Sequence, residues 1–435
     1  MYRTLKAPIS AQIEVTEECD NCCLHCYNFW RVKDATTLHT LSVEHIICAV
    51  EKLADAEVFD LTFTGGEPLL YPESVLAGAS LAHKRGMWVG LNSNLTHITP
   101  ELASELRTVG FKSILTSLCG PIAEIHDGIT NHNGSFGRTV SGIQIALIAG
   151  LKVFVNMVTT TANQNYAYET GRFVAELGAN GFSVTRATAP GNCPKFKEEY
   201  QVSRETIKEH LDILLRLENE FGYNVSVCEC HPLCLIGDVA RFKNLSRRGC
   251  NAGVSTVAIG ADGGIRPCSH VSEVYGNILT DSFPESWGRM GRWRDGSLLP
   301  TACKSCSYFP LCTGGCRMEA AAKGDITGMD THATGHWDVI PATEDSKIEE
   351  GGLAGAWVLN KTARLRSESF GGIVKITDGG RVLVNADSYQ LLRRIVGRSP
   401  FKLEELGAEF DFEPSSGEAD RFLRMLVRRG VLERH

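Results

Sequence analysis

The chain has 435 residues, 43% of them hydrophobic, a formal charge of −7 and a pI near 6. That length allows two or three domains around a sizeable core, and the acidic balance gives no general case for nucleic acid or an acidic membrane surface. The opening residues 1–8 lack the apolar centre of a secretory signal and no apolar run nears the roughly 20 residues of a membrane span, so sixteen cysteines in a chain expected in the cytoplasm point to metal or redox chemistry.

Residues 9 to 186 read as alternating strands and helices. Strands are expected at Ile9–Thr16, Asp60–Thr64, Met87–Asn94, Phe111–Leu118, Leu151–Thr159 and Phe182–Arg186, with helical patterns such as Glu44–Ala56 and Glu101–Val109 between them. Gly86, Gly110, Gly150 and Gly178 each stand where a helix closes before the next strand. Such alternation gives an α/β fold, a parallel sheet with helices outside it and ligand sites at the carboxyl ends of the strands.

The first strand runs into Cys19-x3-Cys23-x2-Cys26. Three thiolates on one short loop hold an iron–sulfur cluster at three corners and leave the fourth iron open to a ligand that is not protein. The alternative is a structural zinc knot, for which Cys22 offers a second register. The second strand ends in Gly65-Gly66-Glu67-Pro68, a turn whose glycines let backbone groups approach a ligand closely. The cysteine loop and this turn together resemble the radical S-adenosylmethionine enzymes. The resemblance implies a partial (β/α)6 barrel, a [4Fe-4S] cluster with an open iron on Cys19, Cys23 and Cys26, and S-adenosylmethionine at Gly65, Gly66, Glu67 and Pro68. It also gives His25 the place before the last cysteine that is usually aromatic, and puts cofactor contacts near strand-end residues such as Asn92, Asn94, Ser117, Asn156 and Arg186. Of these we single out Asn94, Ser117 and Arg186, although polar strand-end residues also serve as turn formers and caps. His126-Asp127 has the form of a proton-transfer pair, and a surface loop explains it as well.

Past a helical pattern at Ser203–Phe221 the cysteines return. Cys250-x12-Gly263-x4-Cys268 and Cys303-x2-Cys306-x5-Cys312-x3-Cys316 resemble the SPASM extension of the same enzymes, with a zinc ribbon as the competing reading. The resemblance implies one or two auxiliary iron–sulfur clusters, the first on Cys250, Cys268 and Cys316, the second on Cys303, Cys306 and Cys312. Each set is one ligand short. Among Cys228, Cys230 and Cys234 we favour Cys234 for the first. The family's final cysteine after Cys316 is missing, and His332 is our choice to replace it, with Asp330, His336 and an open or absent cluster as alternatives.

Residues 341–358 read as an acidic, glycine-bearing linker. A hairpin follows at Ile373–Thr377 and Val382–Asn385 across Asp378-Gly379-Gly380, then helical patterns at Ser388–Val396, Leu403–Glu409 and Glu418–Arg429. This unit resembles the PqqD-like RiPP recognition element, a small winged-helix-like α+β domain, which implies capture of a peptide on the edge Val382, Leu383, Val384 beside Arg421, Arg424 and Arg428. Residues 359–435 hold 14 Lys and Arg against 11 Asp and Glu, a net +3 suited to an acidic leader, or merely a solvated face.

The expected domains are thus a radical S-adenosylmethionine barrel at 1–225, a SPASM domain at 226–340, the linker and the recognition element at 359–435. The expected function is maturation of a precursor peptide, with a flavodoxin or ferredoxin as electron donor and no nucleic acid or membrane partner. The rivals are maturation of a sulfatase, an amine dehydrogenase or a small molecule, and an iron–sulfur or zinc redox sensor binding DNA through its C-terminal unit.

Overall fold

The computed structural model describes the chain apart from residues 1–2, 33–34, 189–199, 247, 336–352, 354, 378–379, 399, 411–413 and 415. His336, most of the expected linker and the Asp378-Gly379 part of the expected turn therefore lie outside the described residues. The chain divides into two compact units, 1–343 and 344–435. No helix among the described residues is long and apolar enough to cross a membrane.

The first unit is built on seven parallel strands lying side by side in chain order: β1 (Ser10–Glu14), β2 (Asp60–Thr64), β3 (Trp88–Asn92), β4 (Ser113–Ser117), β5 (Lys152–Thr159), β6 (Gly181–Arg186) and β7 (Asn224–Ser226). Helices α1 (Val43–Asp55), α2 (Pro72–Lys84), α3 (Pro100–Thr108), α4 (Ala123–Thr130), α5 (Ser135–Ile148), α6 (Ala167–Glu176) and α7 (Arg204–Phe221) connect them. The polar starts are chemically set: Ser42, Thr99 and Ser203 accept from the third backbone N–H of α1, α3 and α7. An order that never reverses is that of a partial barrel, wound in one direction. The expected strands are all present with their ends moved by a residue or two. Phe111, for example, is held by Leu106 in a helix-closing turn and not in the ladder.

The two faces of this sheet differ. Ile13, Phe63, Leu91, Ile114 and Val153 stand in register across five strands and are buried to 1% exposure or less. They form the layer beneath the helices, each contributing about 1.5–3 kcal/mol. One residue away the period-two pleat presents the other face, where Gln12, Thr62, Asn92 and Ser117 are half-buried and polar. A sheet that is apolar on one face and polar on the other directs its ligand chemistry to the second.

Beyond β7 the chain comes back to β1. Strand β8 (Thr256–Ile259) pairs in parallel with it, Ser10 opposite Thr256, and β9 (Ile265–Arg266) folds back antiparallel on β8. Residues 226–340 thus share the barrel's sheet. Glu14 and Arg266, both buried, form an ion pair at this join.

The second unit has two small antiparallel sheets. One is ordered β11–β12–β13, from β11 (Arg364–Glu368), β12 (Gly371–Lys375) and β13 (Arg381–Val384). The other sets β10 (Ala356–Leu359) between β14 (Phe401–Lys402) and β15 (Leu432–Arg434). Helices Ala386–Ile395, Leu403–Phe410 and Gly417–Arg428 occur where the apolar periodicity places them. Strands β10, β11, β14 and β15 were not expected: two are only two or three residues long, and Arg364–Glu368 reads as charged until its Arg366 and Glu368 are seen buried as an ion pair at 2.8 Å.

Candidate active site at the strand ends

The cysteine loop is fastened to β2 by its backbone. Gly66 N donates to Thr16 O and Glu67 N to Glu18 O, each at 2.7 Å. A Cβ on Gly66 would stand 1.9 Å from the Glu18 carbonyl oxygen, and one on Gly65, whose φ is +134°, 2.5 Å from that of Thr16. These glycines are therefore needed where two segments of the chain touch, a reason the sequence reading did not give. On its far side the loop is tied to α4, Cys22 N donating to Thr130 O and Leu24 N to Ile129 O, both at 2.9 Å. Cys19, Cys23 and Cys26 are half-buried and Cys22 is exposed, which suits the first three as the ligand set.

Glu67 organises the next loop. Its Oε1 accepts from Leu69 N and Ser93 Oγ and its Oε2 from Asn94 N, all within 2.9 Å. Burial, working against these donors, raises its carboxyl to about 7. Asn94 in turn donates its amide to Asp20 at 2.7 Å, and Asp20 also accepts from Thr96 Oγ1. Asp20, inside the cysteine motif, is a residue of this arrangement that the sequence does not single out; its one signal is an acidic side chain between two expected ligands. Glu67, Asn94 and Asp20 thus form one chain from β2 through β3 to the cysteine loop. Pro68 starts a short buried turn. Ser117 and Asn156 lie in register on the polar face, and Asn156 Oδ1 accepts from Ser183 and Thr185.

His25 and His126 come together, whereas His126 and Asp127 do not act as a pair. Burial lowers both imidazoles to about 4, and each is held neutral. His126 Nδ1 accepts from Cys119 N at 3.1 Å, which leaves its proton on Nε2. That Nε2 and His25 Nδ1 are buried and find no hydrogen-bond partner among the described residues. Asp127 instead caps α5, accepting from Gly134 N, Ser135 Oγ and Phe136 N at 2.6 to 2.8 Å.

Arg186 is withdrawn from any strand-end ligand. It is 3% exposed, its Nη1 and Nη2 donate to Asp330 at 3.1 and 2.8 Å, and Nη1 also donates to His332 Nδ1. Its Nε faces Glu229 at 3.4 Å. One guanidinium balances one carboxylate: Asp330 is held below the ordinary range by Arg186 against the cost of burial, whereas burial pushes Glu229 up to about 8. His332 donates its Nε2–H to Val202 O at 3.0 Å and accepts at Nδ1. Both ring nitrogens are spent, so the structure does not present His332 as an iron ligand. Asp330, the alternative, is spent on Arg186 and on Cys316 N.

The other cysteines fall in two groups. Cys230, Cys250 and Cys316 lie near enough for each thiol to act on the others' ionisation, and Cys250 and Cys316 both act on Cys268. Cys234, Cys303, Cys306 and Cys312 line one small, partly open cavity together with Tyr308 and Ala333. Cys234 thus stands with the second expected set, not the first. Among the described residues no three His, Cys, Asp or Glu side chains converge on a single metal ion.

The peptide-binding residues occupy the second unit as follows. Val382 and Val384 are buried, while Leu383 is 38% exposed on β13, which borders β12 alone among the described residues. Arg421 and Arg428 are exposed, and Arg424 is paired with Asp420 at 2.8 Å. The end of their helix meets the β12–β13 hairpin, Gly430 beside Ile376 and Arg429 beside Gly380.

The chain is similar to several known proteins. It is 27% identical over 342 residues, 75% of this chain and 96% of the other, to the AdoMet-dependent heme synthase of Methanosarcina barkeri. It is 27% identical over 356 residues, 80% and 88%, to the mycofactocin maturase MftC of Mycolicibacterium smegmatis. The crystal structure of SuiB of Streptococcus suis bound to its precursor peptide SuiA shares the fold, with a TM-score of 0.63, 17% identity and coverage of 76% and 77%. Residues 13–173, which carry the cysteine loop, the glycine turn and the Glu67–Asn94–Asp20 chain, match the model of the radical SAM superfamily, so this part of the chain is a radical SAM domain.

Proposed function

We propose that this enzyme matures a ribosomally made peptide, holding the peptide's leader on the second unit while the barrel acts on its core. The observation that carries the reading is β13, a strand with one neighbour among the described residues and an exposed Leu383, in a compact unit of its own. A sheet edge of that kind binds an extended peptide through backbone hydrogen bonds, and a tethered leader raises the local concentration of the core. A relative named mycofactocin maturase and a fold shared with a peptide-bound enzyme agree with it.

The donor set fits the family's cofactors: three half-buried thiols on one loop, cradled by glycines that no side chain could replace. When bound, the [4Fe-4S] cluster and S-adenosylmethionine supply a one-electron cleavage that starts hydrogen abstraction. Cys19, Cys23 and Cys26 would hold the cluster, and the turn Gly65–Pro68 with Asn94 would hold the amino end of the cosubstrate. The chain's own work is positional. Glu67 and Asp20 fix the loop against β3, the apolar layer under the helices seals one face from water, and the polar face of Asn92, Ser117 and Asn156 receives substrate. In this reading the enzyme works in the cytoplasm with a flavodoxin or ferredoxin as reductant, and residues 226–340 and 359–435 serve as the auxiliary-cluster and leader-binding domains.

Anaerobically reconstituted chain, given S-adenosylmethionine and dithionite, should release 5′-deoxyadenosine, and a Cys19/Cys23/Cys26→Ala variant should release none. A precursor peptide encoded beside the gene should bind, and Leu383→Asp should weaken it about tenfold, the effect of about 1.4 kcal/mol, with cleavage in the absence of peptide unchanged. Parent-like binding by Leu383→Asp would remove the edge from the reading. A second reading, a haem-forming reaction on a small molecule, is favoured by the 96% coverage of the heme synthase; product formation from a porphyrin-type substrate with no peptide bound would establish it.

A further inference from the structure

The second auxiliary set lacks a ligand that the sequence does not supply downstream, since no cysteine follows Cys316. Ala333, in the stretch where one would be expected, does reach the cavity of Cys303, Cys306 and Cys312, but it brings only a methyl group. The thiol that does line this cavity comes from the opposite direction along the chain, on the short helix Leu233–Ile236. We propose that Cys234 is the fourth ligand of the second auxiliary cluster.

Two hydrogen bonds join the Cys234 segment to this site. Leu233 N donates to Cys312 Sγ at 3.3 Å, the kind of N–H···S bond that tunes a cluster thiolate. Thr334 Oγ1 donates to the Cys234 carbonyl at 3.0 Å, so the stretch that lost its cysteine now braces the residue that replaces it. Four separated thiols around a cavity suit a four-iron cluster, which stands between its ligands.

The assignment does not depend on the substrate, so failure to bind any peptide leaves it intact. Its test uses the full chain with the Cys19/Cys23/Cys26→Ala background, so that the remaining iron is auxiliary. After anaerobic reconstitution and reduction, this parent should show two electron paramagnetic resonance signals and no zinc. Cys234→Ala should abolish one signal or convert it on oxidation to a three-iron form and leave the other unchanged, and His332→Ala should change neither. Parent-like iron content and spectra in Cys234→Ala overturn the proposal, as do zinc in place of iron or a parent with only one signal. If circular dichroism shows Cys234→Ala unfolded, Cys234→Ser is read instead. A shifted signal from its oxygen ligand supports the assignment, and an unshifted one overturns it.

Discussion

The two cysteine regions of the first unit are held in opposite ways. The loop of Cys19, Cys23 and Cys26 hangs from backbone: glycine contacts to Thr16 and Glu18, and amide bonds to α4. The region around Cys230 to Cys316 hangs from side-chain charge, with Arg186 at its centre binding Asp330, His332 and the Cys230 carbonyl. Backbone attachment fixes a site to a regular sheet and leaves little room for substitution. Charge attachment spans irregular chain, and lets a ligand be drawn from whichever segment the network brings near.

Breaking the backbone attachment should have the largest effect. Gly66→Ala forces a Cβ into the Glu18 carbonyl, with nothing flexible to give way. We expect a loss of about 5 kcal/mol, at the extreme for single substitutions, seen as a lowered melting midpoint and a failure to reconstitute the first cluster. A parent-like melt would show that the loop is not held this way. Arg186→Met tests the other region by leaving Asp330 buried and uncompensated. The expected cost is about 3 kcal/mol, with the auxiliary signals perturbed and the signal of the first cluster unchanged. Asp127→Ala should do least. Removing the cap of α5 should cost about 1 kcal/mol, while the pH profile of S-adenosylmethionine cleavage stays that of the parent. A shifted profile would restore Asp127 to a proton-transfer role.

The same contrast explains what the sequence could tell. The barrel's strands were readable because each carries a period of two on an apolar run and is closed by a helix with its own caps, so local chemistry and final fold agree. Gly65–Pro68 and the three cysteines of the first loop are contiguous motifs and were found for that reason. The role of Arg186 is not legible because its position at a strand end is a local fact, while Asp330 and His332, which it binds, lie more than 140 residues away. His332 was chosen for standing where a cysteine was missing, and only the fold shows its two nitrogens already committed to Val202 and Arg186. The assignment of Cys234 failed for a related reason: three cysteines within seven residues, Cys228 to Cys234, have no order that spacing can assign to two distant sets.

The pairing of Ser10 with Thr256 carries a consequence for how the enzyme is made. A ribosome delivers β1, the cysteine loop and β2 early, and these can pair at once because they are close in the chain. The partner on the other side of β1 emerges only after some 240 further residues, and such distant pairing forms late. During that interval the first cysteine loop can dock on the β2 turn, whereas His270, which stacks on Tyr27 beside the loop, has not been synthesised. The loop is therefore placed early and closed over late, by the same segment that adds β8 to the sheet.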